Sequence, residues 1–136
     1  MTGHSLGAAI ATHTVAHLMA NKYTVTDFYN YGSPRVGDAK FTVWFNEQYG
    51  SPSHFKARIT HGRDPVPHLP LEDWGFLHVN REVFYKSKVK DGHVVCNDIS
   101  GEDKSCSDRY LADVDVQDHV SYFDIDFAGI IVACQA

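Results

Sequence analysis

The 136 residues carry 43% hydrophobic and 21% charged side chains, the proportions of one globular domain rather than a disordered chain. A formal net charge of −5, with no run of five or more lysines or arginines, gives no electrostatic basis for binding nucleic acid. No uninterrupted apolar stretch approaches the roughly 20 residues that span a bilayer, and the first residues lack the basic, apolar, small-residue order of a signal peptide.

The chain opens "MTGHSLGAAIATHTVAHLMA", in which Gly3-His4-Ser5-Leu6-Gly7 runs straight into an alanine-rich stretch. Leu6 to about Ala20 is apolar almost all round, which predicts a buried helix packed against a sheet. No strand is read before this turn. Val25 to Tyr31 is β-prone and ends at Gly32-Ser33-Pro34, after which "DAKFTVWFNEQYG" reads as an amphipathic helix that Asp38 caps and Gly50 ends. A short strand follows from Phe55 to Thr60, broken by Gly62 and by the three prolines of "RDPVPHLP". "FLHVNREVFYK" and "GHVVCND" predict paired strands, and "VQDHVSYFDI" a short helix or turn. Strands alternating with helices argue for parallel βαβ units, hence an α/β fold.

Three cysteines leave one unpaired by arithmetic. Cys96 and Cys106 flank the flexible polar loop "CNDISGEDKSC", which favours a disulfide over two free thiols and, with it, an oxidising compartment. Cys134 is then left without a partner inside the chain.

The pattern G-x-S-x-G lifts a serine above a sheet on a sharp strand-to-helix turn. A serine hydroxyl is a poor nucleophile at neutral pH. It needs a histidine to take its proton and a carboxylate to hold that histidine's tautomer. In α/β-hydrolases the chain order is serine, acid, histidine. Ser5, Asp64 and His119 occur in that order, although spacing does not separate Asp64 from Asp73 and a loop aspartate also caps turns. His119 has a competing reading as a packed ring beside Tyr122 and Phe123. The backbone N–H of Leu6, after the serine and at a helix start, is a candidate oxyanion donor.

The remaining candidates read more plainly. His13 and His17 have zinc-helix spacing but no accompanying glutamate, so no metal site is predicted. His4 is read as packing or lining the pocket, His68 and His78 as rim or loop residues, and His61 as a surface residue. Leu69, Leu71 and Trp74 of "LPLEDWGFLH" suit an acyl pocket or a lipid surface, whereas Phe76 and Leu77 suit a core.

"TGHSLGAA", "YNYGSPRVGD", "RDPVPHLP", "GFLHVNREVFY", "VCNDISGEDKSCS" and "DHVSYF", taken in order over nearly the whole chain, resemble the C-terminal half of fungal-type class 3 lipases. That resemblance implies a partial α/β-hydrolase fold, mostly parallel sheet flanked by helices. It also implies cofactor-free hydrolysis of acylglycerols or related esters at a lipid–water interface, and secretion. On it, Ser5 matches the nucleophile, Asp64 the acid and His119 the general base. Cys96 and Cys106 match a disulfide of some relatives, and Cys134 a cysteine that pairs with the N-terminal half. Two departures accompany the match. The strands, lid helix and second oxyanion donor that precede the nucleophile in the family are missing, and Ala8 replaces a common glycine. The expectation is a single N-terminally truncated hydrolase domain, poorly active or unstable alone. The alternative is a noncatalytic remnant or lipid-binding module.

Overall fold

A computed structural model describes residues 1–49, 55–97 and 99–133. The expected helix end at Gly50 and the orphan Cys134 lie outside those residues. A strand does precede the serine turn, contrary to the sequence reading. Strand β1 (Thr2–His4) pairs in parallel with β2 (Asp27–Tyr31), Thr2 opposite Tyr29 and His4 opposite Tyr31. Three residues carry too little alternation to be read as a strand, and only the ladder with β2 makes them one. The backbone bonds Tyr29 N–H to Met1 O and Ser5 N–H to Tyr31 O, 3.1 and 3.0 Å, extend the pairing past both ends of β1.

Helix α1 (Leu6–Ala20) returns the chain to β2, and α2 (Ala39–Gln48) leads to β3 (Phe55–His61). Asp38 caps α2 by accepting from Phe41 N–H at 2.8 Å. Strands β4 (Glu82–Tyr85) and β5 (Val94–Val95) complete the sheet in the order β1-β2-β3-β4-β5. The first four strands are parallel, and β5 joins antiparallel, Val83 opposite Val95. The chain ends with α3 (Val116–His119), the hairpin β6 (Ser121–Tyr122) and β7 (Ile125–Asp126), and α4 (Phe127–Ala133). None of the helices described is long and apolar enough to cross a membrane.

The two-residue period of the strands sorts side chains onto two faces. On one face Phe28 of β2 packs with Ala11, Val15 and Ala16 of α1 and Phe45 of α2, the alanines allowing close approach. On the other, Ala57 and Ile59 of β3 and Tyr85 of β4 pack with Tyr122 of the C-terminal hairpin. Helix α1 is buried on one side only. Leu6 is 69% exposed and Ile10 58%, and His13 and His17 are also exposed, so the burial against the sheet expected of this helix holds on one side although its sequence is apolar almost all round. The reason is geometric: the sheet covers only the strip carrying Ala8, Ala11, Thr12, Val15 and Ala16.

The helix-side face of β3 and β4 buries charge. Arg58 Nη2 lies 3.2 Å from Glu82 Oε2, and Glu82 Oε1 accepts from the hydroxyls of Thr60 and Ser107, both at 2.6 Å. Breaking one side of such a buried pair is far costlier than the pair is stabilising, so it fixes which face of the strand turns inward. The bridge Cys96–Cys106 joins β5's end to the following loop, its Cα atoms 6.2 Å apart, and packs against Phe84.

Candidate active site

The serine sits where β1 must turn at once into α1. Its backbone has a positive φ, 56°, with ψ −130°, a sparsely populated region that costs a non-glycine residue on the order of 1–3 kcal/mol. The strain is held by the Ser5 N–H bond to β2, while the Ser5 carbonyl accepts from Ala8 N–H at 2.9 Å. Gly3 permits the tight turn, since a Cβ there would overlap the Gly7 carbonyl. The turn leaves Ser5 Oγ facing the strand ends, and the first N–H groups of α1, Leu6 foremost, have no carbonyl four residues back to bond within the helix.

Asp64 follows β3. Its N–H donates to His61 O, and its Oδ1 accepts from Val66 N–H at 2.8 Å, so it does cap the proline-rich turn. The rest of the carboxylate is turned to other use. His119 Nδ1 donates to it, 2.9 Å from Oδ2 and 3.0 Å from Oδ1, and the Tyr122 hydroxyl donates to Oδ2 at 2.7 Å. At the far side of the ring, Ser5 Oγ lies 2.7 Å from His119 Nε2. Ser5, His119 and Asp64 thus form one unbroken chain of hydrogen bonds, with Asp64 only 2% exposed. Asp73, the rival carboxylate, lies exposed in the turn Glu72–Trp74.

His119 reaches this place because the loop leaving β3 grips the segment that carries it. Arg63 O accepts from Asp115 N–H, Arg63 N–H donates to Asp118 Oδ2 at 2.7 Å, and the Arg63 guanidinium contacts Asp113 and Asp115, both at 3.1 Å. His61, expected at the surface, is buried instead. Its ring stacks on Tyr85, with Nδ1 2.6 Å from Ser121 O and Nε2 3.0 Å from Ser87 O. A polar ring finds partners inside when backbone carbonyls from two segments converge on it, and local sequence does not record that convergence.

Two residues of the site escaped the sequence reading. Tyr122 reads from sequence only as a packing neighbour, yet its hydroxyl is the third donor to the Asp64 carboxylate, beside Val66 N–H and His119 Nδ1; burial first, then the Asp64 charge, pushes its pKa well above the usual 10. Gly32 reads from sequence only as a strand breaker. Its φ is +54°, and a Cβ would lie 2.7 Å from Asp64 Oδ2, 2.9 Å from the Tyr122 hydroxyl and 3.2 Å from His119 Nδ1. "YGSPR" marked the turn, but nothing local says what the turn faces.

His4 packs against His119, and burial lowers its pKa below 6.5. His68, in the loop after Asp64, and His78 are both buried rather than at a rim, and His78 fits the reading of a loop partner, its Nε2 lying 2.7 Å from Pro67 O. Arg35 anchors that loop by donating from Nη1 to His68 O at 2.7 Å and to Pro70 O at 3.0 Å. Its Nη2 also lies 2.8 Å from Glu102 and 3.5 Å from both Glu72 and Asp108, so the gathering of three carboxylates surrounds an internal cation. Burial pushes Glu102 up despite the Arg35 bond, whereas Asp108 is held down against its own burial by His68 and Arg35. Leu69, Leu71 and Trp74 stand exposed on the loop beyond, and Phe76 and Leu77 are partly buried.

The family described as Lipase (class 3) matches residues 1–74. A secreted mono- and diacylglycerol lipase of Fusarium solani is 35% identical over 127 residues, covering 90% of this chain and 36% of that protein. Among solved structures, lipase II from Rhizopus niveus superposes with a TM-score of 0.81 at 34% identity, covering 92% of this chain and 46% of that one. A triacylglycerol lipase whose catalytic centre is described as a serine protease triad gives a TM-score of 0.79 at 32% identity, covering 93% and 47%. The chain therefore spans about a third of the curated relative and just under half of each solved lipase. The parallel sheet with flanking helices is that of the α/β-hydrolase lipases, and the chain belongs to the class 3 lipase family.

Proposed function

We propose that this chain carries the triad-bearing part of a serine carboxylic-ester hydrolase acting on acylglycerols or related lipid esters. The observation that carries the reading is the continuous relay from Ser5 Oγ through the His119 ring to Asp64. In this reading Ser5 Oγ attacks the ester carbonyl as its proton passes to His119 Nε2. Asp64, bonded to Nδ1–H, holds the tautomer and supports the transient imidazolium. The tetrahedral oxyanion is met by the Leu6 N–H at the start of α1, where the helix end favours negative charge. His119 then returns its proton to the departing alcohol. Water, deprotonated by the same ring, attacks the acyl-serine and releases the acid, restoring Ser5.

The exposed Leu69, Leu71 and Trp74 are the surface that would meet a lipid–water interface. The disulfide and the secreted relative support an extracytoplasmic location. The deciding experiment compares p-nitrophenyl butyrate hydrolysis by the wild-type chain and by Ser5→Ala. A rate that disappears with the hydroxyl supports the hydrolase. Equal rates overturn it and leave the noncatalytic, lipid-binding alternative.

A further inference from the structure

A general base must keep two bonds at once, to the nucleophile and to the carboxylate, and a displacement of about 1 Å at such a site costs on the order of 10²-fold in rate. His119 is the last residue of a four-residue helix, and so short a helix does not hold its own end rigidly. The Asp64 bond restrains the ring but leaves it able to pivot about that contact. A second restraint comes from the other end of the chain. His4 Nε2 lies 2.8 Å from the carbonyl oxygen of His119, and the two rings stack with centroids 4.7 Å apart and planes inclined by 29°.

We infer that His4 is a positioning residue, which grips His119 by both its backbone carbonyl and its ring face and so aligns the imidazole between Ser5 and Asp64. The inference rests on the hydrolase reading of Ser5 for its catalytic meaning. Its geometry is independent of that reading. His4 stands in β1, whose ladder to β2 is fixed, and immediately precedes Ser5; the base is thereby registered to the same strand that presents the nucleophile. A carbonyl accepts only from a protonated nitrogen, so His4 carries its hydrogen on Nε2. The groups facing its ring are the His119 imidazole, the Tyr122 ring at 5.5 Å and the Phe127 ring at 4.9 Å, with the Asp64 charge beyond His119. Burial among them favours the neutral ring, which places no like charge over the imidazolium that forms during attack.

The test uses the full chain with His4→Phe, which keeps a stacking ring but removes the donor, and His4→Gln, whose amide restores a donor. The primary readout is the His119 Nδ1 proton, seen by ¹⁵N–¹H NMR as the signal bonded to Asp64. In His4→Phe its exchange with water accelerates about three- to tenfold, the range expected for one lost hydrogen bond, while the sheet amide spectrum is unchanged. His4→Gln recovers most of the wild-type lifetime. The rate at which a fluorophosphonate labels Ser5, followed by mass spectrometry, falls and recovers in parallel. Where the phenyl ring prevents folding, His4→Asn takes its place, its amide being too short to reach the carbonyl. A wild-type Nδ1 lifetime in the folded donorless variant overturns the inference. The NMR readout needs no turnover: absence of labelling in the wild-type chain would count against the hydrolase reading, and the proton lifetime would still decide His4.

Discussion

Gly32→Ala is expected to disable the site without removing any polar group from it. The alanine pays first for a left-handed backbone, φ +54°, at about 1–2 kcal/mol. With an unfolding entropy of about 2.1 cal/mol/K per residue, that lowers the melting temperature of a 136-residue domain by roughly 4–7 °C. Crowding adds a local effect. The new Cβ would stand 2.7 Å from Asp64 Oδ2, where ordinary contact begins near 3.4 Å, so the carboxylate and the Tyr122 hydroxyl must both retreat. A shift of up to about 0.7 Å at Asp64 is passed to His119, and Ser5 reactivity falls by about 10- to 100-fold. Gly75→Ala is the control, because Gly75 has φ +85° yet a Cβ there meets nothing within 4 Å. Calorimetry and fluorophosphonate labelling of Ser5 separate the two effects. Both variants should lose the stability that the left-handed backbone costs, Gly32→Ala should lose more because its Cβ also crowds Asp64 and Tyr122, and only Gly32→Ala should lose reactivity. A Gly32→Ala protein labelled within twofold of the wild-type rate would refute the claim that this turn sets the position of the acid.

Tyr122→Phe removes a buried donor to a carboxylate and should cost about 1.5–3 kcal/mol in urea unfolding, with a several-fold slower labelling of Ser5; an unchanged unfolding midpoint would show that Asp64 does not need this third donor. His78 gives stability a pH dependence. Burial, with Arg58 and Arg35 nearby, holds its pKa well below 6.5, so the unfolded state takes up the proton first as pH falls. The His78 contribution is therefore complete above about pH 6.5 and is lost below it, by at most about 1.4 kcal/mol per pH unit until the folded-state value is reached. His78→Gln, which keeps a donor for Pro67 O, should flatten that slope in urea titrations at pH 7.5 and 5.5. Reducing Cys96–Cys106, which closes a loop between residues 10 apart, should destabilise the chain by about 2–3 kcal/mol; identical unfolding curves with and without dithiothreitol would contradict a structural role for the bridge.

The parts of this fold that were legible in the sequence are those whose cause is local. The helix from Leu6 to Ala20 follows from its run of good helix formers, and α2 from its apolar spacing and the Asp38 cap. The strand into "YGSPR", the broken end of β3 and the short loop between Cys96 and Cys106 are likewise written in composition and turn chemistry over a few residues. The residue types of a serine relay, and their order along the chain, were also readable. Their meeting was not, since residues 5, 64 and 119 carry no local mark of mutual distance.

Tertiary structure decided what depends on contacts between segments far apart in the chain. Thr2–His4 is a strand only because β2 offers it a ladder, and α1 exposes Leu6 and Ile10 because the sheet covers a single strip of it. His61 is buried because carbonyls from two distant segments meet at its ring, and Tyr122 bonds Asp64 because the C-terminal hairpin folds back over β3 and β4. The sequence by itself determined α1, α2, the strands β2 to β5, their breaks and the chemical repertoire, each set by propensities acting within a few residues, but not β1 or the hairpin β6–β7. Spacing alone left Asp64 and Asp73 level, and the bond of Asp64 to His119 and the need for glycine at residue 32 come from packing, because each depends on which atoms of other segments fill the space beside it.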